Sequence, residues 1–320
     1  MGRSDNVRED AMNTIIGATA TVAAAAAMTF IAACATTAGG SSTTAAATVS
    51  TAKSLQDCPD CPEMVVVPAG SFTMGSPESE SMRDADEGQH KVTFAKPFAI
   101  SRYPITWDQW EACVRDNVCA GRDVEIALHS DLEGKWMKDY VDHGRGSRPV
   151  VGVSWYDAQV FAGWLNKKSG RDAYRMVTEA EFEYAARAGT KSAYTWGDEP
   201  NHDYANFGKA QGLGGETGGR DVWLNVTSPV GSFPPNAFGL YDMLGDVYQW
   251  VEDCYEGKAE LLPTDGSAMK SGNCSVRVMR STSFTSNPHT LRSANRAGQY
   301  PPNLRGRNYL GFRVAKTLHM

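Results

Sequence analysis

The stretch Thr227–Asp253, TSPVGSFPPNAFGLYDMLGDVYQWVED, is the densest run of turn residues, aromatic residues and oxygen donors in the chain. The Pro234–Pro235 pair fixes φ and keeps the backbone extended, and Asn236–Gly239 then supplies a turn. The apolar residues of Leu240–Trp250 fit neither a helical stripe nor a strict alternation. The pattern therefore predicts a short helical turn that leads into a strand.

Oxygen donors lie between these apolar residues at close spacing. Asp242, Gly245, Asp246 and Gln249 offer carboxylate, amide and backbone oxygens, which are the ligands that a hard cation such as calcium requires. The alternative is a polar loop whose side chains cap their own backbone.

The segment LYDMLGDVYQWVED (Leu240–Asp253) resembles the LYDMxGNVWEW signature of the formylglycine-generating-enzyme family, also called sulfatase-modifying factor domains. Further matching motifs occur in order over roughly Cys58–Leu318. They are MVVVPAGSFTMGS (Met64–Ser76), RPVVGVSWYDAQVFAGWLNKKSG (Arg148–Gly170), YRMVTEAEFEYAARAGT (Tyr174–Thr190), YTWGDEP (Tyr194–Pro200), LRSANR (Leu291–Arg296) and LGFRVAKTL (Leu310–Leu318). The resemblance implies an α+β fold related to C-type lectins, low in regular secondary structure and stabilised by calcium.

The N-terminal segment, residues 1–34, is expected to be a signal or lipoprotein segment. Ile15–Ala35 is apolar and rich in alanine, and the sequence IAAC that ends at Cys34 looks like a lipobox with a lipid-modified cysteine. A signal is favoured over a permanent anchor because the run is only weakly apolar. Against this, three acids outnumber two arginines in the first ten residues, and a start at Met12 would leave no charge at all.

Residues 35–57 have a composition typical of a low-complexity tether, and residues 58–318 form the expected folded domain. The chain of 320 residues has a formal net charge of −6. It shows no basic stripe, so nucleic acid is not an expected partner. Export with lipidation at Cys34 would place the domain in the periplasm, attached to the envelope by its lipid or signal anchor.

Cysteine spacing supports an oxidising compartment. Apart from Cys34, six of the seven cysteines form sequence-near pairs, which predict the disulfides Cys58–Cys61, Cys113–Cys119 and Cys254–Cys274. Zinc is the alternative for the C-x-x-C pair, but a structural zinc site needs a second ligand pair and no other pair has that spacing. A thioredoxin-like role lacks its β-α context.

Three helices are predicted from capping boxes or close variants, in which a Ser or Thr hydroxyl and a residue three positions on satisfy the first free amides. The pairs are Thr106 with Gln109, Ser154 with Asp157, and Thr178 with Glu181. Aromatic residues on these helices are expected in the core. Glu179, Glu181 and Glu183 on the third helix are expected on a solvated face. The long Asn201–Arg220 loop is expected to bind a ligand or to be held by ions and disulfides.

The family resemblance implies two calcium sites when the ligands are carried over residue by residue. The first is Asp242, Gly245, Val247 and Gln249, where Gln249 replaces a family Glu and Asp242 replaces an Asn. The second is Asn206, Phe207, Asp221 and Trp223, with an interval one residue longer than the family pattern. Asp246 lies outside both sets. Oxygen ligands alone favour Ca²⁺ over transition metals.

The family's copper-binding cysteines are absent from the corresponding segment, RSTSFTSNPHTLRSANR. Ser286 stands at the first cysteine, and the second lies in a short deletion. A hydroxyl cannot supply the soft thiolate that copper(I) prefers, so neither copper nor formylglycine-generating oxidase activity is expected. Tyr248 replaces the tryptophan of the family's oxygen pocket. Tyr248, Ser283 and Ser286 are therefore candidates for a ligand pocket rather than for catalysis.

Two functions are compatible with this sequence. The first is an exported, non-catalytic family member that binds a peptide, protein or glycan in a lectin-like cleft. The second is a periplasmic oxidoreductase of the same fold in protein or siderophore maturation, because the family's pyoverdine-maturing members also lack the cysteine pair. Motifs for other chemistries, such as GxSxG, the P-loop and HExxH, do not occur.

Overall fold

The computed structural model of the chain describes residues 53–119, 144–211 and 214–318. Cys34, the predicted signal segment and most of the tether lie outside these residues. The helices are α1 (Trp107–Arg115), α2 (Trp155–Ser169) and α3 (Glu179–Arg187). The strands are β1 (Ser54–Leu55), β2 (Met64–Val67), β3 (Gly70–Met74), β4 (His90–Phe94), β5 (Phe98–Ser101), β6 (Tyr174–Met176), β7 (Tyr248–Tyr255), β8 (Asn273–Arg280), β9 (Ala297–Tyr300), β10 (Leu310–Phe312) and β11 (Val314–Thr317).

The strands form three sheets. A five-stranded antiparallel sheet has the order β1-β2-β5-β11-β6, and a four-stranded sheet has the order β10-β7-β8-β9 with β10 parallel to β7. The third sheet is the β3–β4 hairpin. Much of the chain between these elements is turn and loop. The architecture is therefore α+β with little regular secondary structure, as predicted.

All three predicted helices are confirmed, each with both hydrogen bonds of its capping box. Helix α2 ends at Gly170, which adopts the left-handed conformation that glycine tolerates. The third helix ends at Arg187, and the next residue, Ala188, takes a left-handed conformation. Capping boxes are local signals, which is why they located these helix starts correctly.

Strand β7 separates two hydrophobic cores. Trp250 packs with Phe161 and Phe312 in one core, whereas Val251 packs with Phe182 in the other. Consecutive side chains of a strand point to opposite faces, so neighbouring residues of β7 enter different cores. The second part of the family signature, Tyr248–Asp253, thus lies in the strand between the two cores.

The predicted helical turn before β7 is wrong. Residues 240–247 contain no helix, 242–247 form bends, and the strand begins at Tyr248. Asp242 and Asp246 have φ values of 51° and 65°, which a right-handed helix does not accommodate.

The prediction of a solvated acidic face on α3 is also wrong. Glu179, Glu181 and Glu183 are 0%, 3% and 0% exposed. Arg280 contacts Glu179 at 3.0 Å and Glu183 at 2.8 Å, and it is itself fully buried. Arg296 forms a second ion pair with Glu179 at 2.7 Å. Glu179 and Glu183 are buried because Arg280 and Arg296 neutralise them, and Glu181 pairs with Arg175 of β6.

All three predicted disulfides are present, linking Cys58 to Cys61, Cys113 to Cys119 and Cys254 to Cys274. The last joins β7 to the start of β8 across 20 residues of sequence. We expect non-reducing peptide mapping of the purified chain to recover these three linked pairs, with Cys34 in none of them. Free thiols at Cys254 and Cys274 in material from an oxidising compartment would contradict this prediction.

Residues just before Cys58 contact the rest of the domain. Strand β1 pairs with β2, and Asp57 accepts hydrogen bonds from Tyr174 and Lys316. Within the described ranges, no helix has the length and hydropathy needed to cross a bilayer.

Candidate functional site

The turn before β7 brings the candidate site residues together. Gly245 has φ 89°, and a Cβ at this position would lie 2.7 Å from the Asn206 carbonyl oxygen. Only glycine fits both this backbone conformation and this close approach. The turn places Tyr248 at the first position of β7, with its ring half-buried.

The three predicted pocket residues form a chain of hydroxyl groups. The Tyr248 hydroxyl lies 2.9 Å from Ser286 Oγ, which in turn lies 2.9 Å from Ser283 Oγ. Thr285 Oγ1 extends the chain at 3.1 Å from Ser283 Oγ. We call Tyr248, Ser283, Thr285 and Ser286 the hydroxyl cluster. Thr285 was missed in the sequence, although the run Ser281–Ser286, with five hydroxyl residues among six, could have indicated it.

The Asn201–Arg220 loop packs directly on the hydroxyl cluster. The Gly208 amide donates to the Ser286 carbonyl at 2.7 Å, and the Gly214 amide donates to the Thr285 carbonyl at 3.3 Å. A Cβ at Gly208 would lie 2.4 Å from the Thr285 carbonyl carbon. The loop therefore fixes the backbone that carries the hydroxyl groups.

The hydroxyl cluster suits binding better than nucleophilic catalysis. In the described part of the chain, its hydroxyl groups hydrogen-bond only to one another and to backbone. A serine nucleophile needs an adjacent general base, and these serines have none in hydrogen-bonding contact. The neighbouring Tyr309 ring lies 5.9 Å from the Tyr248 ring. Burial, with a smaller contribution from Tyr300, raises the pKa of Tyr309 to about 12, so this phenol stays protonated.

The first predicted calcium set contains one ligand that suits a cation. Asp242 is 8% exposed, and its Oδ1 is buried with no hydrogen-bond partner among the described residues. Its other oxygen accepts from the Gly231 amide at 2.8 Å. The Gly245 carbonyl already accepts from the Val247 amide at 2.8 Å. Burial raises the pKa of Asp242 to about 6.

Gln249 does not fit this set. Its Oε1 accepts from Arg313 Nε at 2.8 Å, and its Nε2 donates to the Asp242 carbonyl at 3.1 Å. Arg313 is 1% exposed and also donates to the carbonyls of Ser101 and Tyr241. A guanidinium at this distance would repel a divalent cation bound to the same oxygen.

The second predicted set is partly assembled. Asn206 Oδ1 is buried and without a hydrogen-bond partner in the described residues, as a cation ligand should be. Asp221 is held by His202, with Nδ1 at 3.0 Å from Oδ2, and by the Trp223 amide at 3.1 Å from Oδ1. The His202 ring stacks on Phe207 with 3.7 Å between centroids. Nowhere in residues 53–119, 144–211 and 214–318 do three His, Cys, Asp or Glu side chains group as metal ligands.

Comparison with known proteins identifies the fold family. Residues 49–318 match the family model described as the sulfatase-modifying factor enzyme 1-like domain. The chain belongs to this family. The α+β architecture described above is therefore that of a sulfatase-modifying factor domain.

Three relatives show how far the likeness extends. The structure of PvdO from Pseudomonas aeruginosa is 41% identical, with a TM-score of 0.70, covering 83% of this chain and 98% of PvdO. The inactive C-alpha-formylglycine-generating enzyme 2 of Bos taurus is 30% identical, covering 75% of this chain and 90% of that protein. The serine/threonine-protein kinase pkn1 of Chlamydia caviae is 32% identical over 79% of this chain. The chain spans only 38% of that kinase's length.

Proposed function

We propose that this chain is an exported sulfatase-modifying factor domain without formylglycine-generating activity, and that it binds a peptide or glycan at the hydroxyl cluster. The observation that carries the proposal is the hydrogen-bonded chain Tyr248–Ser286–Ser283, which includes the position that the family resemblance assigns to a copper-binding cysteine. Hydroxyl oxygens are hard ligands and do not replace thiolates for copper(I). An inactive family member among the relatives supports a non-catalytic function.

The chemistry of the cluster favours a polar, uncharged ligand surface. Each hydroxyl both donates and accepts, so it can bind peptide amides or sugar hydroxyls. Tyr248 and Ser286 are partly exposed, and the Tyr248 and Tyr309 rings provide apolar area beside them. Aromatic rings next to hydrogen-bonding groups are common in sites for peptides and sugars.

We expect the purified chain to leave a cysteine-containing sulfatase peptide unchanged and to bind copper(I) weakly, because both thiolates are missing. Mass spectrometry of the peptide after incubation with copper and oxygen tests this prediction, with an active family enzyme as the positive control. The Ser286→Cys variant should also be inactive because it restores one thiolate only. Formation of the aldehyde at an enzymatic rate would refute the prediction.

We expect ligand binding to depend on the hydroxyl cluster. Peptide and glycan arrays would identify a ligand, and calorimetry would compare the wild type with Tyr248→Phe and Ser286→Ala. Loss of one hydrogen bond costs about 0.5–1.5 kcal/mol, so each variant should bind up to about tenfold more weakly. The matched control is Tyr156→Phe, because Tyr156 is 47% exposed and lies outside the cluster. Equal affinity of all variants would place the ligand elsewhere.

A periplasmic oxidoreductase in siderophore maturation is the second candidate. The 41% identity with PvdO, over almost the whole length of PvdO, favours this second function, because it supports the pyoverdine-related alternative. Genomic context discriminates between the two: a siderophore cluster next to the gene favours the oxidoreductase, and an envelope operon favours the binding domain.

The proposed location is the periplasm, with the domain anchored through Cys34. The three disulfides support an oxidising compartment. We also propose a structural calcium ion at the second predicted set, where Asn206 Oδ1 is buried without a hydrogen-bond partner in the described residues, because the predicted ligands there are all oxygen atoms.

A further inference from the structure

The disulfide between Cys254 and Cys274 has one buried and one accessible sulfur. Cys254 is 2% exposed in β7, whereas Cys274, near the start of β8, is only half-buried. The residues on both sides of Cys274, Asn273 and Ser275, are exposed. A thiolate attacks a disulfide at a sulfur that it can reach. Attack on this bond is therefore directed to Cys274, with Cys254 as the leaving group.

A guanidinium lies against the sulfur of Cys254. Arg277 Nη1 is 3.2 Å from Cys254 Sγ and donates to the Glu252 carbonyl at 2.9 Å. Arg277 and Cys254 are register partners of the antiparallel β7–β8 pair, so their side chains lie on the same face of the sheet. The Arg277 guanidinium also lies over the Trp155 ring, 3.9 Å from its centroid. These contacts fix a positive charge beside Cys254.

No carboxylate among the described residues forms an ion pair with Arg277. Burial lowers the pKa of Arg277, and Glu252 and Asp253 act on its charge only from a greater distance. The Glu252 carboxylate pairs instead with Lys270 at 3.5 Å. A partly buried cation without a counter-charge is costly, and a thiolate at Cys254 would supply that counter-charge. A neighbouring guanidinium also lowers the pKa of a thiol, so this environment favours the Cys254 thiolate.

The other two disulfides lack this combination of access and charge. Cys113 and Cys119 are 0% and 1% exposed, so neither sulfur of that bond can be reached. Cys58 is half-buried and Cys61 is 1% exposed, so the Cys58–Cys61 bond also presents one sulfur. In the described part of the chain, however, Arg277 is the one cationic side chain with a hydrogen bond to a disulfide sulfur. Cys58–Cys61 therefore resembles Cys254–Cys274 in access but not in charge.

We propose that Cys254–Cys274 is an exchange-active disulfide that accepts two electrons from a dithiol. One thiolate of the dithiol attacks Cys274 Sγ, and the S–S bond breaks with its electron pair on Cys254, whose thiolate lies beside Arg277. The second sulfur of the dithiol then loses its proton, attacks the mixed disulfide and releases Cys274. The dithiol ends as a disulfide, and its two protons pass to Cys274 and to either Cys254 or water.

Reduction removes the covalent closure of the β7–β8 connection, which spans 20 residues of sequence. Residues 265–268 of this connection line a cavity of about 490 Å³ together with Phe94, Phe98 and Arg175. A hydrogen bond of 2.9 Å from Thr178 Oγ1 to the Gly266 carbonyl remains after reduction. The redox state of Cys254–Cys274 therefore sets how firmly this wall of the cavity is held.

The test is reduction of the full chain by dithiothreitol at neutral pH, followed by acid quenching, alkylation and peptide mapping, which measures the thiol fraction at each cysteine over time. We expect Cys254–Cys274 to be reduced about tenfold faster than Cys58–Cys61, because only its leaving thiolate is stabilised by a guanidinium. With the monothiol glutathione, the quenched mixed disulfide should be on Cys274. A rate no faster than that of Cys58–Cys61, or a glutathione adduct on Cys254, would overturn the proposal.

Variants at Arg277 test the charge itself. Arg277→Gln should slow reduction of Cys254–Cys274 about tenfold, whereas Arg277→Lys keeps the charge and should retain most of the rate. The matched control is Lys270→Gln, which removes a 79% exposed positive charge from the same connection and should react as the wild type does. Continued protection of the buried Cys113–Cys119 bond shows that each variant is folded. A wild-type rate in folded Arg277→Gln would contradict the proposal.

Discussion

Arg280→Ala is expected to lower the free energy of unfolding by about 3–5 kcal/mol, the usual cost of removing one partner from a buried ion pair. Arg280 is fully buried and contacts Glu179 at 3.0 Å and Glu183 at 2.8 Å. It also donates to the Ser293 carbonyl at 2.6 Å. Truncation leaves two carboxylates in the core with only part of their counter-charge, because Arg296 and Arg187 each retain one of them.

Urea denaturation measures this loss, and two further variants make the measurement specific. Arg145→Ala removes an exposed partner of Glu111, so it should cost less than about 1 kcal/mol. The double variant Arg280→Ala/Glu183→Gln should be less destabilised than the sum of its single variants, because the second change removes one uncompensated charge. If the free energy of unfolding of Arg280→Ala lies within about 1 kcal/mol of the wild-type value, the loss is no larger than that of an exposed ion pair. The buried ionic network would then contribute little to stability.

The same network shows where the sequence was informative and where it was not. The helices followed from capping boxes, and the disulfides followed from short cysteine spacings, so both depended on neighbours in the chain. The acids of α3 look like a solvated face because their nearby partners, Arg175 for Glu181 and Arg187 for Glu183, have spacings that are also usual on exposed helices. Their partners Arg280 and Arg296 lie about a hundred residues further along the chain. Long-range charge pairing leaves no periodic pattern that could have revealed this burial.

The contacts among the candidate site residues could also be predicted only in part. The resemblance to the family placed Tyr248, Ser283 and Ser286 in one pocket, and the structure brings their hydroxyl groups within 2.9 Å of one another in turn. The family pattern could not show that Arg313 donates a hydrogen bond to the side-chain oxygen of Gln249, because Arg313 lies 64 residues later in the chain.

Acid is expected to unfold the domain through Glu87, a second buried carboxylate with a long-range partner. Glu87 is 0% exposed, contacts Arg292 with both oxygens at 2.7 Å, and accepts from Ser76 Oγ at 2.6 Å. Burial alone would raise the pKa of Glu87, but the hydrogen bonds from Arg292 and Ser76 hold it below its ordinary value of 4.5. The folded state therefore releases this proton more readily than the unfolded chain does.

The direction of the pH effect follows from that lowered pKa. The stabilisation from Glu87 is complete above the unfolded pKa of 4.5 and is lost as the pH falls through the lower folded value. Each proton taken up on unfolding gives a slope of about 1.4 kcal/mol per pH unit.

Urea denaturation between pH 7 and pH 3 should show this slope below about pH 4.5 in the wild type. Glu87→Gln should be about 3–5 kcal/mol less stable at pH 7. The pH dependence of its free energy of unfolding should be smaller by about 1.4 kcal/mol per pH unit, the contribution of one proton. Ser76→Ala, which keeps the ion pair, should retain most of it. A Glu87→Gln variant with the wild-type slope would show that other carboxylates control acid unfolding.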